Sequence, residues 1–190
     1  MKTPQSIKIG TRRSPLAIRQ AEYVQQLISK TLNHSSNETK IEICLLTTSG
    51  DKFTDRPLAA LGGKGLFTKE IDYALINGDI DCAVHCVKDL PTEIPKGIII
   101  AAILEREDPR DAFISKSGAK LSEVPADTIV GTTSLRRKAQ LLARYPEMRV
   151  VGLRGNVQTR IDKINNGKAD ATFLAISGLK RLAMDHVAAE

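Results

Sequence analysis

The stretch Ile7-Lys-Ile-Gly-Thr-Arg-Arg-Ser-Pro-Leu-Ala17 decides the fold. Its first five residues alternate as a short strand, and Ser14 followed by Pro15 is a strong helix start: a hydroxyl that caps the first free N–H groups, then a ring whose φ already suits a helix. A strand feeding directly into a helix predicts a β-α-β unit, and the pattern repeats outward from there. Lys40 to Thr48 reads as a strand, Ser14 to Leu32 and Gly65 to Asn77 as helices, and Asp81 to Val87 as a buried strand. Further along, Gly97 to Leu104, Asp111 to Ser115, Thr128 to Thr132, Met148 to Leu153 and Asp170 to Ala175 read as strands. Helices are expected over Ser134 to Arg144, Val157 to Asn166 and Leu179 to Ala183. Alternation of this kind predicts an α/β protein with mixed or parallel sheets flanked by helices. The charged break Glu105-Arg-Glu-Asp-Pro-Arg-Asp111 is the candidate hinge, giving a first α/β domain over 1–104 and a second over 105–190.

Composition narrows the function classes. At 190 residues, 42% hydrophobic and 26% charged, the chain has the make-up of an ordinary globular protein. It has neither an apolar run approaching the roughly 18 residues of a membrane span nor the apolar start of a secretory leader, so a cytoplasmic protein away from membranes is expected. Three cysteines, Cys44, Cys82 and Cys86, fall inside apolar runs and are expected to be reduced and buried. Period-two alternation would put Cys82 and Cys86 on one strand face and His85 on the other, so no metal site is expected. The formal charge of +6 calls for an anionic partner. With aromatics at 4% and no Trp, there is little to stack nucleobases on, and nucleic acid is not expected.

The basic residues cluster where strands hand over to helices. Arg12 and Arg13 lie at the mouth of the first strand, where open α/β sheets bind ligands. Leu61-Gly-Gly-Lys-Gly-Leu-Phe67 is a glycine-rich loop in which Gly65 stands where a phosphate-binding loop needs Ser or Thr, so it reads as a mobile lid carrying Lys64 or as a flexible connection. Lys88-Asp89 closes the Asp81 strand. Asp89 there either shapes the turn before Pro91 or serves as a general acid or cation-stabilising carboxylate. From Gly131 to Arg160 there are seven Lys or Arg and one acid, Glu147. Arg136 and Arg137 fall in a first helical turn, where the helix dipole disfavours cations unless an anion is near.

These motifs, in this order and spacing, resemble the hydroxymethylbilane synthase (porphobilinogen deaminase) family from Ile7 to about Leu182. The family carries Thr11-Arg12 with Ser14-Pro15-Leu16-Ala17, Gly62-Gly63-Lys64-Gly65-Leu66-Phe67, His85 with Lys88-Asp89, Arg106 to Asp111, Gly131-Thr132 with Ser134-Leu135-Arg136-Arg137, and Leu153-Arg154-Gly155-Asn156. The resemblance implies a two-lobed, type 2 periplasmic-binding-protein-like fold with an active-site cleft between the lobes. It implies a monomeric transferase that joins four porphobilinogens head to tail, releasing ammonia each time, to make the linear tetrapyrrole precursor of haem. On that reading Asp89 is the catalytic carboxylate. Arg12, Lys88, Arg136, Arg137, Arg154 and Arg160 hold acetate and propionate groups, with Ser14, Thr132, Ser134 and Gly155 beside them, and Lys64 and Phe67 belong to the covering loop. The implied cofactor is dipyrromethane, carried by a cysteine of a third domain that this chain does not match, so Cys44, Cys82 and Cys86 are not given that role. As it stands the chain is expected to present the catalytic cleft without completing the reaction. The same architecture would also serve a two-lobed module that binds a small anion without consuming it.

Overall fold

The structure, a computed structural model, describes residues 5–32, 39–52 and 65–190. The chain divides into two compact units, Met1–Leu104 and Glu105–Glu190.

The first unit is built on a three-stranded parallel sheet in the order β2-β1-β3, with β1 (Ser6–Arg12) central between β2 (Lys40–Leu46) and the short β3 (Cys82–Ala83). Parallel neighbours require a crossover, and helix α1 (Pro15–Leu32) supplies it from β1 to β2. The helix starts where the sequence says it should: Ser14 Oγ accepts the Ala17 N–H at 3.3 Å and the Ser14 carbonyl takes the Ile18 N–H at 3.0 Å. A one-turn helix α2 (Ser49–Lys52) follows β2, and α3 (Lys69–Ile76) precedes β3. Ile71, Ala74 and Ile80 form the buried cluster of this unit, with Cys44, Leu46 and Ala83 packed against it.

The second unit holds a mixed sheet in the order β4-β7-β5-β6. Its strands are β4 (Asp111–Ser115), β5 (Ile129–Gly131), β6 (Arg149–Val151) and β7 (Ala171–Ala175), with β4 antiparallel to β7 and the other pairs parallel. Helices α4 (Leu135–Arg144), α5 (Val157–Asn165) and α6 (Ile176–Arg181) complete it. The two-residue period of the strands sorts its core into two layers. Ala112, Ile114 and Leu174 meet Ile161 of α5 and Leu179 of α6, while Phe113, Val130 and Ala171 meet Leu141 of α4. Both faces of this sheet are therefore apolar, as burial on both sides demands.

Several expectations are corrected. The strand expected over Asp81 to Val87 pairs only at Cys82–Ala83, with a last bond from Val84 N–H to the Gly10 carbonyl at 3.0 Å. β1 then turns into α1 and offers no further partner, so Val87–Asp89 closes into a 3-10 turn through the Asp89 N–H to Cys86 carbonyl bond at 2.9 Å. The segment Gly97 to Leu104 is not a strand. It has no ladder partner among the described residues, and Ile99 and Ile103 are 81% and 74% exposed. The helix expected from Gly65 begins at Lys69 because Gly65 has φ +68°, outside the right-handed helical region. The last helix starts earlier than expected and stops at Arg181, with Ala183 at φ +54° just beyond it. The three cysteines are free as expected, but half-buried and not buried. Lys64 and the residues Leu61 to Gly63 lie outside the described residues. No helix among the described residues is long and apolar enough to cross a membrane.

Candidate functional site

In the first unit the candidate residues gather around the guanidinium of Arg12. Its Nε and Nη2 fork onto the carboxylate of Asp51, with Nε to Oδ2 at 3.2 Å, and its plane lies over the Phe67 ring at 4.1 Å from the centroid. The remaining Nη1 stands 3.8 Å from Asp89 Oδ2, within reach of its charge but beyond hydrogen-bond length. Lys88 Nζ lies 3.5 Å from the other Asp89 oxygen. The 3-10 turn thus presents Lys88, largely exposed, and Asp89, a fifth exposed, side by side. The Ser14 hydroxyl accepts the cap bond of α1, which leaves its own O–H able to donate.

Asp51 was not legible as a site residue, yet it organises the cluster. Burial disfavours its charge, but the bonds from Arg12 and from Thr48 Oγ1 (2.7 Å) outweigh that and hold its carboxyl below the usual range. His85, quoted above only as part of a motif, sits nearby with Nε2 buried and without a partner among the described residues. Burial lowers its pKa below 6.5, against the pull of Asp72 and Asp89 and with a push from Arg12, so the ring is neutral at pH 7.

In the second unit Thr132, Ser134, Arg136 and Arg137 form one run from β5 into α4. Thr132 Oγ1 accepts the Ser134 N–H at 3.1 Å, and Ser134 Oγ caps α4 by accepting the Arg137 N–H at 3.4 Å. The anion demanded by two arginines at a helix N-terminus comes from the protein itself. Arg136 Nη2 and Arg137 Nη2 grip the two oxygens of Asp111 at 2.6 and 2.7 Å. Arg137 also donates to the Phe173 carbonyl at 2.9 Å, and its buried Nε has no partner among the described residues.

Arg154, Gly155 and Arg160 lie at the start of α5. Asn156 caps that helix by accepting the Thr159 N–H at 2.8 Å. Gly155 has φ +128°, and a Cβ there would meet Thr159 Cγ2 at 2.7 Å, so only glycine fits. Arg160 Nε donates to the Gly155 carbonyl at 2.9 Å. Burial first, then the positive charges of Arg137 and Arg154, lower the pKa of Arg160 below its usual value. Arg160 thus feels two neighbouring guanidinium charges from a partly desolvated place, an arrangement that an arriving carboxylate would relieve.

The family model described as porphobilinogen deaminase, dipyromethane cofactor binding domain, matches residues 7–190. The chain is 54% identical over 179 residues to the chloroplastic porphobilinogen deaminase of Pisum sativum, covering 94% of this chain and 48% of that protein. It is 50% identical over 189 residues to the porphobilinogen deaminase of Paracoccus denitrificans, covering 99% of this chain and 60% of that one. The chain thus spans about half the length of the curated relatives it matches. Among solved structures it resembles a lipoprotein of Bacillus subtilis (TM-score 0.55, 11% identity, 98% of this chain and 77% of that chain). It also resembles the methionine binding protein MetQ (TM-score 0.50, 16% identity, 95% of this chain and 74% of that chain). At those identities the likeness shows the fold alone, an α/β fold of the type 2 periplasmic-binding-protein kind.

Proposed function

This chain belongs to the porphobilinogen deaminase family, and on that premise we propose that it supplies the catalytic carboxylate and the carboxylate-binding arginines of a hydroxymethylbilane synthase. The reaction is the stepwise head-to-tail condensation of four porphobilinogens into hydroxymethylbilane, with one ammonia released per addition. The observation that carries the reading is the gathering of Arg137, Arg154 and Arg160, in which Arg137 keeps a buried Nε without a partner among the described residues and Arg160 feels the charges of the other two. Such a cluster suits a ligand that brings several carboxylates, and each pyrrole of the proposed substrate brings an acetate and a propionate.

The residues also fit the acid side groups of dipyrromethane, which when bound supplies the primer to which pyrroles are added. The unpartnered Arg137 Nε is a donor in want of an acceptor among the described residues, and Gly155 lets Thr159 pack against the backbone at the start of α5. Arg136, Arg154 and Arg160 would hold carboxylates, with Thr132 and Ser134 shaping the turn that aims Arg137. In the first unit Asp89 would accept hydrogen bonds from pyrrole N–H groups and stabilise the positive charge left as ammonia departs. Lys88 and Arg12 flank it, and Phe67 supports Arg12. Lys64, from the glycine-rich loop, is assigned a covering role on the family resemblance.

A further part of the proposal is that the protein acts as a cytoplasmic monomer on this small molecule, without nucleic acid or membrane. The ordinary soluble composition and the scarcity of aromatics support it. The test is to express the complete coding region and measure ammonia release from porphobilinogen, with mass spectrometry for the added dipyrromethane. Asp89→Ala should abolish turnover while the protein remains folded. Binding of pyrroles without any ammonia release by the unaltered protein would overturn the reading in favour of a binding module.

A further inference from the structure

Arg12 is held by more contacts than a ligand-binding arginine needs. Of its five N–H donors, Nε and Nη2 face Asp51, one face of the plane covers Phe67, and only Nη1 is directed toward Asp89. Asp51 is itself fixed. Its Oδ2 accepts Thr48 Oγ1 at 2.7 Å, and its N–H bonds the Thr48 carbonyl at 3.0 Å. The α2 turn that carries it is tied to the segment leading into α3. The Ser49 N–H and hydroxyl both bond Glu70 Oε1, the former at 3.0 Å, and the Gly50 N–H bonds the Leu66 carbonyl at 2.7 Å. Gly50 carries no side chain because the Phe67 ring occupies the place a Cβ would take.

We propose that Asp51 is a positioning residue that commits Arg12 to itself and so keeps Asp89 open for pyrrole N–H donors. The inference rests on the functional reading above. The physical reason is geometric. At 3.8 Å Arg12 lends Asp89 the field of a cation without occupying its lone pairs. A guanidinium released from Asp51 needs to move less than an ångström to bridge Asp89, and a bridged carboxylate has lost acceptor capacity for substrate. Thr48, Ser49, Gly50 and Glu70 then form the support that keeps Asp51 in place, and Phe67 keeps the guanidinium plane from rotating.

The test uses the protein expressed from its complete coding region. Asp51→Asn should lower kcat on the order of tenfold to a hundredfold, the scale on which small misplacements near a reacting centre act, with KM changed much less. In an Arg12→Gln background the same change should add nothing, because Asp51 acts through Arg12. Additive losses, or an Asp51→Asn enzyme with unchanged kcat, would overturn the inference. If Asp51→Asn does not fold, Glu70→Gln loosens the same turn from one bond further away and should give the same kcat loss and the same non-additivity. A readout independent of activity is the Arg12 Nε–H resonance in nitrogen-15 spectra. It should be protected from exchange in the unaltered protein and lose that protection in Asp51→Asn. If the unaltered protein releases no ammonia from porphobilinogen, the functional reading fails while this resonance still decides the claim about Asp51. Retained protection in the variant refutes it.

Discussion

Replacing Asp111 by Asn tests whether the second unit supplies its own anion to the first turn of α4. The carboxylate is gripped by Arg137, whose side chain is 13% exposed, and by Arg136, whose side chain is 58% exposed. Removing one partner of a buried pair costs about 3–5 kcal/mol, and an exposed arm contributes under about 1 kcal/mol. The pair is only partly buried and Asn keeps the volume and one acceptor oxygen, so the expected loss falls below that range, at roughly 2–3 kcal/mol. If this unit unfolds cooperatively by itself, that is a drop in Tm of roughly 10 °C or more. The assay is urea and thermal unfolding of both proteins across pH. Burial disfavours the Asp111 charge, but the bonds from Arg137 and Arg136 more than offset it, leaving the folded pKa below the usual 3.8 of an aspartate. A carboxyl with a depressed folded pKa contributes fully above its unfolded value and loses that contribution as pH falls through the folded one. The gap between the proteins should therefore be constant from about pH 5 to 8 and narrow below about pH 4. Equal stability at pH 7, or a gap that does not narrow in acid, would refute the reasoning.

Two other substitutions probe the sites from different sides. Arg160→Gln removes a half-buried cation that burial, Arg137 and Arg154 disfavour but that donates to the Gly155 carbonyl, so urea unfolding should show a loss of no more than about 1 kcal/mol. Calorimetric affinity for porphobilinogen or a short polypyrrole should nevertheless fall on the order of tenfold to a hundredfold, the value of a hydrogen bond to a charged group. His85→Gln addresses pH. Burial lowers the folded pKa of His85 against the opposing pull of Asp72 and Asp89, so the unfolded chain takes up the proton first and stability declines as pH drops below about 6.5. The variant should show a flatter decline in urea midpoint between pH 7.5 and 5.5, and an unchanged slope would count against a neutral buried imidazole.

What could be read from the sequence and what could not divide along the distance over which each contact acts. The β1–α1 junction was legible because Ser14 and Pro15 act within one turn. The two-faced sheet of the second unit was legible because apolar residues repeat along each strand. The fate of Asp81 to Val87 was not, since pairing depends on β1, some 70 residues earlier, turning away after Arg12. Composition gives no hint of that event. The same limit hid the acids. The basic run from Gly131 to Arg160 reads as an unopposed field of charge until Asp111, 26 residues before Arg137, is folded against it. Asp51 lies 39 residues from the Arg12 it holds. Each acid takes up only part of its arginine's hydrogen-bonding capacity. Arg12 keeps Nη1 near Asp89, and Arg137 keeps a buried Nε without a partner among the described residues. A solvated basic face needs no such partial neutralisation, because water and salt already screen it. Arginines that are fixed by an internal carboxylate and still retain unused donors are better suited to binding than to solvation. Their orientation is set before a ligand arrives, and part of the entropy of ordering them has been lost on folding.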